Sequence, residues 1–336
     1  MCTVTDEQPV SVVVMMPVLD DWVSAAELIR RLDNALAASG YIATILLVDD
    51  GSVLRCDYAD FQNDFAMIRR IQILRLRRNL GPPRAIAIGL AHIQKSLNCD
   101  VVLVMDADGE DTPTGAVQLL RAYSENGSRN VIFAERIRRS ESLLFRSFYL
   151  LYRFLHRWLT GVSIKAGNFS ILSSESLDTL VSMSELWNHY AAAVFRSRIP
   201  FTLLPIPRGK RIAGTSRMNF SSLVTHGLSG ISVFADIVGV RLIIASLFTS
   251  ALSSLGIIAI IAFRIFTDRA FPGWATSASG VLAIIMIQFI TIATSFTFFM
   301  LSNRTNLGFV PFRDYSLFVK EVVDIYSQSG SKYAGA

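Results

Sequence analysis

The chain has 336 residues, of which 51% are hydrophobic and 18% charged, and its mean hydropathy is +0.42. This length allows one sizeable soluble domain plus further segments, and the hydropathy suggests that those segments are embedded in a membrane. A net charge of +5 is modest for a nucleic-acid-binding protein, so we expect no nucleic-acid partner. Cys2, Cys56 and Cys99 lack the spacing of metal or redox motifs, which agrees with a reducing compartment.

The first part of the sequence alternates short apolar runs with helical patterns. Strands are predicted at residues 10–16, 42–48, 71–76 and 101–105, and helices at 26–36 and 85–94. Apolar runs of this length are typical of strands that are buried on both faces. Strand, helix and strand in succession predict parallel pairing with a right-handed crossover.

Polar clusters follow three of these strands. Asp49 and Asp50 come after the second strand, Asn79 and Gly81 after the third, and Asp106 after the fourth. Each cluster alone is more typical of a turn. Because ligands bind beyond the carboxyl ends of parallel strands, the repetition predicts a binding site along that edge of the sheet.

The sequence from residue 106 to 111 is strongly acidic and contains Asp106, Asp108, Glu110 and Asp111. Carboxylates this close repel one another unless a cation or a proton relieves the repulsion. Their hard oxygen atoms suit Mg²⁺ or Mn²⁺. An acidic turn at a strand end is the alternative that this run, taken alone, leaves open.

Residues 131–220 show weaker patterns. Short strands are predicted at 131–134 and 201–206, a basic amphipathic helix at 143–159, and a tight turn at 166–169. Residues 208–220 form a basic loop rich in small side chains. We expect this loop to be a lid over phosphate groups that stays mobile until anions fill it.

Two uncharged stretches follow, at residues 242–263 and 270–303, the second being most apolar over 281–301. Each is long enough to cross about 30 Å of hydrocarbon as a helix, which makes a buried hairpin in a soluble core the less favoured alternative. The first ten residues have neither the basic region nor the apolar run of a signal peptide, so we expect the preceding domain to be cytoplasmic.

These motifs, taken in order, resemble the polyprenyl-phosphate glycosyltransferases of glycosyltransferase family 2, a group that includes dolichyl-phosphate mannose synthases and bacterial undecaprenyl-phosphate sugar transferases. The matching segments are Pro17-Val18-Leu19-Asp20-Asp21, Asp49-Asp50-Gly51-Ser52, Arg78-Asn79-Leu80-Gly81, Asp106-Ala107-Asp108, and Arg208, Arg211, Ser216 and Arg217 of the basic loop. The resemblance implies an α/β architecture: a Rossmann-like GT-A nucleotide-sugar domain followed by two C-terminal transmembrane helices. The implied segments are a flexible N-terminus (1–9), the GT-A domain (10–219), a juxtamembrane segment (220–240), a transmembrane hairpin (241–302) and a cytoplasmic tail (303–336).

The resemblance also implies roles for individual residues. Nucleotide contacts are expected from Pro17, Asp21, Asp49, Asp50, Asn79, Gly81, Asp106, Ser216 and Arg217. Asp106, Asp108 and Glu110 would bind Mg²⁺ or Mn²⁺, and Asp108 would act in catalysis together with Arg136, Arg146 and Arg211, the arginines facing the acceptor phosphate. The expected partners are a nucleotide-diphosphate sugar, a polyprenyl phosphate and the membrane, and a homo-oligomer is left open.

The expected reaction is an inverting sugar transfer, and several positions depart from the family pattern. Gly109-Glu110 stands where relatives have Leu-Gln, and Asn168 replaces an aspartate. A phosphate monoester is largely ionised near neutral pH and needs no general base, so Asn168 favours a lipid-phosphate acceptor over a sugar acceptor. Two alternatives remain: a processive polysaccharide synthase, suggested by Arg157-Trp158, and an inactive membrane scaffold, suggested by Asp21, Gly109 and Asn168.

Overall fold

The structure is a computed structural model that describes residues 10–125, 130–137, 154, 156–162, 166–214, 220–267, 273–305 and 308–328. The chain divides into two compact units. The sheet unit comprises Met1–Tyr149, Ser163–Val233 and Phe309–Ala336, and the long-helix unit comprises Leu150–Val162 and Phe234–Gly308.

The sheet unit is built on one eight-stranded sheet. Its strands are β1 Ser11–Val18, β2 Ile42–Asp49, β3 Ile68–Leu76, β4 Val101–Val104, β5 Val131–Ile137, β6 Ala166–Ser173, β7 Phe201–Pro207 and β8 Val319–Ser327. The strand order is β7-β5-β6-β4-β1-β2-β3-β8. β4, β1, β2 and β3 are parallel neighbours, whereas β6 and β8 run antiparallel to β4 and β3. The four strands that the apolar runs predict therefore end at one edge.

The sheet unit also contains helices, several of which cover the two faces of the sheet. They are α1 Trp22–Ala37, α2 Pro82–Ser96, α3 Pro113–Glu125, α4 Ser174–Val181, α5 Tyr190–Ser197, α6 Phe220–Ser232 and, near the end of the chain, α9 Pro311–Asp314. Val12 and Val14 of β1 belong to the same hydrophobic cluster as α1 and α3, while Val13 and Met15 belong to the cluster of α2, α4 and α5. Burial on both faces explains why β1 is a continuous apolar run and not an alternation of apolar and polar residues.

Two segments differ from the sequence-based expectation. Residues 166–169 are not a tight turn, because their backbone begins β6, where Ala166 is paired with Glu135 of β5. Residues 303–336 are not simply a tail, because β8 lies in the sheet beside β3. Ile325 of β8 is buried in the core, which gives this strand its anchor. The helix expected at 143–159 lies outside the described residues except at 154 and 156–160, which are helical.

The long-helix unit contains α7 Ala235–Phe266 and α8 Trp274–Thr305. By length and composition both are candidate membrane spans, and only 11% and 0% of their most apolar stretches are buried. The core helix of a soluble protein would be mostly buried. The two helices approach closely at Gly239, where an added Cβ would lie 2.7 Å from Cε1 of Phe296. Small residues at helix contacts are typical of membrane-embedded helix pairs.

Candidate active site

The loops that follow β1 and β2 are tied together by Asp20. Its carboxylate accepts hydrogen bonds from the backbone N–H groups of Val53 (2.7 Å) and Leu54 (2.8 Å), and its own N–H donates to Oγ of Ser52 (2.9 Å). Asp20 has a φ of +54°, a left-handed conformation that aspartate adopts more readily than most residues. No separate role for Asp20 follows from its position in the sequence, although it lies in the motif that ends at Asp21.

Asp50 joins the loops that follow β2 and β3. Its side chain is 2% exposed and accepts from the N–H groups of Leu80 (2.7 Å) and Gly81 (2.8 Å). The loops are so close that a Cβ on Gly51 would lie 2.6 Å from the backbone nitrogen of Asn79. Burial raises the pKa of Asp50 to about 6, against the opposing effect of its two backbone hydrogen bonds. Both carboxylate oxygens accept hydrogen bonds from the protein, so Asp50 holds the turn at Asn79 in place.

Asp49 lies beside a polar cavity of about 660 Å³ at the end of β2. Its Oδ1 accepts from the N–H of Ser52 (2.8 Å), and its Oδ2 lies 3.9 Å from Nε of Arg75. The cavity is lined by Trp22, Asp49, Gly51, Ser52, Val53, Leu54, Arg55, Cys56, Tyr58, Arg75, Leu76, Arg77, Arg78 and Lys320. Several of these side chains are cationic, so the cavity suits an anionic ligand with a polar, planar part, such as a nucleotide.

The acidic turn after β4 is held in shape by its own side chains. Asp111 is buried and accepts from the N–H of Asp106 (2.9 Å), while Oδ1 of Asp108 accepts from the N–H of Glu110 (2.9 Å). This role of Asp111 is not predicted by the acidic run alone. Asp106 and Asp111 lie at the two ends of one turn, and an aspartate in such a position often accepts a hydrogen bond from a backbone N–H of the turn.

Residues 208–214 of the basic loop lie against this acidic turn. The N–H of Gly209 donates to the carbonyl of Glu110 (2.8 Å), and the N–H of Ile212 donates to the carbonyl of Asp108 (2.9 Å). The side chain of Arg208 pairs with Glu110. The loop is therefore joined to the turn through both backbone and side chains.

Arg211 connects two strand ends. Its Nη1 lies 3.1 Å from Oδ2 of Asp108, after β4, and its Nη2 lies 2.7 Å from Oδ2 of Asp21, after β1. Its Nε donates to the carbonyl of Ala213 (3.0 Å), which fixes the guanidinium plane. Because arginine keeps its charge at any physiological pH, this arrangement places a permanent cation beside the acidic turn.

The Gly109-Glu110 departure from the family pattern has a structural role. Gly109 has a φ of +87°, and an added Cβ would lie 2.5 Å from Cγ1 of Ile212. Glu110, the second residue of this departure, pairs with Arg208. Both departures therefore serve the contact between the acidic turn and the basic loop.

Most of the predicted site residues that the structure describes lie at one edge of the sheet. Asp21, Asp49, Asp50, Asn79, Gly81, Asp106, Asp108 and Glu110 follow or end β1 to β4, and Arg211 reaches Asp108 from the loop after β7. Pro17 is a residue of β1 itself, opposite Val48 of β2. Arg136 lies in β5, its side chain outside the description, and Arg146, Ser216 and Arg217 lie outside the described residues.

The acidic turn has the donor chemistry of a magnesium or manganese site but is not a closed one. Within the described part of the chain, no three His, Cys, Asp or Glu side chains are grouped so that they could hold a metal ion. Mg²⁺ is commonly held by one or two carboxylates together with substrate phosphates, and Asp106 and Asp108 fit that arrangement. Glu110 is paired with Arg208 and Asp108 with Arg211, so either carboxylate would bind a metal only after its arginine moves.

Comparison with known proteins identifies the class. The family model for glycosyl transferase family 2 matches residues 13–180, so the chain belongs to this family and is a glycosyltransferase. The match agrees with the family predicted from the strand-end motifs.

Two relatives and one solved structure are similar over most of the chain. The undecaprenyl-phosphate 4-deoxy-4-formamido-L-arabinose transferase of Klebsiella pneumoniae (strain 342) is 26% identical over 291 residues, 84% of each chain. The "uncharacterized glycosyltransferase YkcC" of Bacillus subtilis (strain 168) is 22% identical over 267 residues, 78% of this chain and 80% of the relative. A glucosyl-3-phosphoglycerate synthase from Mycobacterium tuberculosis, solved with Mn²⁺, UDP-glucose and phosphoglyceric acid, aligns with a TM-score of 0.50 at 14% identity, covering 68% of this chain and 80% of the synthase. The predicted GT-A fold followed by two candidate spans is thereby confirmed.

Proposed function

We propose that this glycosyltransferase moves a sugar from a nucleotide-diphosphate sugar to a polyprenyl phosphate at the cytoplasmic face of a membrane, with inversion at the anomeric carbon. The observation that carries this proposal is the bridge from Asp21 through Arg211 to Asp108, which places a fixed cation beside the acidic turn of a family 2 domain. The name of the Klebsiella pneumoniae relative, which this chain covers over 84% of its length, supports undecaprenyl phosphate as the class of acceptor.

The donor would occupy the edge formed by the ends of β1 to β4. The cavity beside Asp49 suits the nucleoside, and the acidic turn suits the diphosphate together with a divalent metal held by Asp106 and Asp108. When bound, Mg²⁺ or Mn²⁺ supplies neutralisation of the charge that develops on the departing diphosphate. Arg211 adds a cation at the same turn, where it can contact a phosphate group that displaces a carboxylate from its guanidinium.

The proposed transfer does not require a side chain that acts as a general base. An oxygen of the acceptor phosphate attacks the anomeric carbon from the face opposite the diphosphate, and the bond from that carbon to the diphosphate oxygen breaks with its electron pair. The attacking phosphate is already ionised near neutral pH, so no side chain has to remove a proton. Asn168 in place of a carboxylate is consistent with such an acceptor. Arg136 and Arg146 stay predicted contacts to the acceptor phosphate.

A groove in the long-helix unit supports a lipid substrate. It has a volume of about 750 Å³ and is lined by Phe154, Arg157, Trp158, Arg241, Ile244, Ala245 and Phe248. Phe154 and Trp158 are 68% and 57% exposed, and Nη1 of Arg241 donates to the carbonyl of Trp158. Exposed aromatic rings beside arginines are typical of the membrane–water interface, where a lipid phosphate lies. Arg157 and Trp158, the residues that suggest a processive synthase, can therefore be explained as part of a lipid-binding groove.

The proposal is tested by incubating the purified chain in lipid nanodiscs with undecaprenyl phosphate and a panel of radiolabelled nucleotide sugars. We expect label in the lipid extract with one donor, and a loss of about 100-fold or more in Asp108→Asn, the size seen when a transition-state charge contact is removed. Asp100→Asn is the matched control, because Asp100 accepts a backbone hydrogen bond from Ser11 at the opposite end of β4. Transfer that survives both Asp108→Asn and EDTA would contradict the proposed role of the acidic turn.

A further inference from the structure

Strand β8 joins the sheet from a part of the chain that follows both long helices, and its pairing with β3 is irregular near the cavity. Arg75 is opposite Glu321 and Leu76 is opposite Val319, so Lys320 is an extra residue without an opposite partner on β3. Such a bulge turns the strand locally and redirects side chains that would otherwise alternate between faces. Lys320 lines the cavity beside Asp49, and Glu321 contacts Arg75, which also lines it.

Arg75 is held between three groups. Its Nη1 lies 2.6 Å from Oε1 of Glu321, its Nη2 donates to the hydroxyl of Tyr58 (2.7 Å), and its Nε lies 3.9 Å from Oδ2 of Asp49. Asp49, Arg75 and Glu321 form one row across β2, β3 and β8. The guanidinium of Arg75 therefore lies in contact with Glu321 and farther from Asp49.

We propose that β8 is a working part of the nucleotide pocket: Glu321 positions Arg75 so that Asp49 stays available to the nucleoside, and Lys320 adds a cationic hydrogen-bond donor for the nucleoside in the same cavity. This inference rests on the proposed donor site and assigns it two residues outside the segment matched by the family model. Without Glu321, the guanidinium of Arg75 would turn to Asp49, its nearest other carboxylate among those described, and the two would pair across the pocket. Arg75 and Glu321 are thus positioning residues.

The chain contains a matched control for Glu321. Arg70 and Asp324 form a second ion pair between β3 and β8, with hydrogen bonds of 2.6 and 2.8 Å, and neither residue lines the cavity. Arg70 makes two hydrogen bonds to Asp324 and Arg75 makes one to Glu321, so Asp324→Asn removes at least as much pairing between the two strands as Glu321→Gln does. Partly exposed pairs of this kind contribute little to stability, so both variants should fold and unfold at similar temperatures.

The experiment is calorimetric titration of the full chain in nanodiscs with UDP, GDP, CDP and dTDP. With the nucleotide that binds, Glu321→Gln should raise Kd about tenfold, as loss of one charge-assisted contact would, and Lys320→Gln about threefold or more. Asp324→Asn should stay within about twofold of the wild type. With the corresponding sugar donor, Glu321→Gln should raise KM and leave kcat nearly unchanged, because the substitution affects nucleotide binding rather than the transfer step.

The outcomes separate the two proposals. Equal weakening by Asp324→Asn and Glu321→Gln would show that β8 acts only through the stability of the sheet, and would overturn this inference while leaving the donor site intact. Unchanged Kd in Glu321→Gln and Lys320→Gln would overturn it as well. If the wild-type chain binds none of the four nucleotides, the proposed donor site itself fails, and the role of β8 fails with it.

Discussion

Replacing Gly109 with alanine should separate the basic loop from the acidic turn. Alanine at a φ of +87° costs roughly 1–2 kcal/mol in backbone strain. Its Cβ would also lie 2.5 Å from Cγ1 of Ile212, far inside the usual contact distance of about 3.5–4.0 Å. Overpacking of this kind costs about 1–3 kcal/mol, and the branched side chain of Ile212 has few rotamers with which to avoid it.

These costs compare closely with what holds the loop. The two backbone hydrogen bonds from Gly209 and Ile212 contribute about 0.5–1.5 kcal/mol each, and each partly exposed pair made by Arg208 or Arg211 contributes up to about 1 kcal/mol. A penalty of about 2–5 kcal/mol is therefore enough to detach the loop. We expect Gly109→Ala to lose most transfer activity while the sheet unit stays folded.

Limited digestion with trypsin measures the separation directly, because the loop carries Arg208, Lys210 and Arg211 as cleavage sites. Cleavage in Gly109→Ala should be at least about tenfold faster than in the wild type, the factor that corresponds to 1.4 kcal/mol. Gly40→Ala is the control: Gly40 has a φ of +76° but nothing within 4 Å of an added Cβ. The double variant Gly109→Ala, Ile212→Ala should cleave more slowly than Gly109→Ala alone. No faster cleavage in Gly109→Ala, or faster cleavage that Ile212→Ala does not relieve, would show that the contact between Gly109 and Ile212 does not hold the loop against the turn.

Three further predictions concern the same edge of the sheet. Asp50 has a pKa of about 6 against an ordinary 3.8, so the folded chain binds its proton more tightly than the unfolded chain does. The contribution of Asp50 to the free energy of unfolding is therefore largest below about pH 4 and falls by roughly 3 kcal/mol as pH rises through 6. Thermal unfolding measured across this pH range should show that fall in the wild type and not in Asp50→Asn. Burial raises the pKa of Cys56 to about 11, so iodoacetamide should modify it slowly at pH 8 and more slowly still with bound nucleotide; fast labelling by mass spectrometry would contradict this. Arg211→Lys keeps the charge but not the fork that joins Asp21 to Asp108, and transfer should fall about tenfold or more; wild-type rates would argue against the bridge.

The sheet could be predicted where a strand is buried on both faces. β1, β2 and β4 are mostly apolar because helices cover both sides, and the parallel order of β1 to β4 then places Asp49, Asn79 and Asp106 at one edge. β8 could not be predicted in this way. It is an edge strand whose Lys320, Glu321 and Asp324 are exposed, and two bulges break the alternation that would have marked it.

The start of β6 could not be predicted from the sequence for a different reason. Gly167 and Asn168 are turn-forming residues by local preference, and only pairing with the distant β4 and β5 makes this segment a strand.

The candidate site was predictable in its residue types and less so in its contacts. Carboxylates at strand ends indicate cation chemistry, and the described motif residues do lie at the expected edge. The contact from Arg211 to Asp21 joins residues 190 positions apart, and no local pattern encodes it. The sequence also could not show that Asp20, Asp50 and Asp111 accept hydrogen bonds from backbone N–H groups of the strand-end turns.

The most direct test of the proposed reaction compares undecaprenyl phosphate with undecaprenol as acceptors for the same radiolabelled nucleotide sugar. Because attack depends on an ionised phosphate, we predict a lipid-linked sugar with undecaprenyl phosphate, inverted at its anomeric carbon as judged by NMR, and no product with undecaprenol. Transfer to undecaprenol, a sugar polymer in place of a single lipid-linked sugar, or no lipid-linked product from any donor would contradict the proposed function.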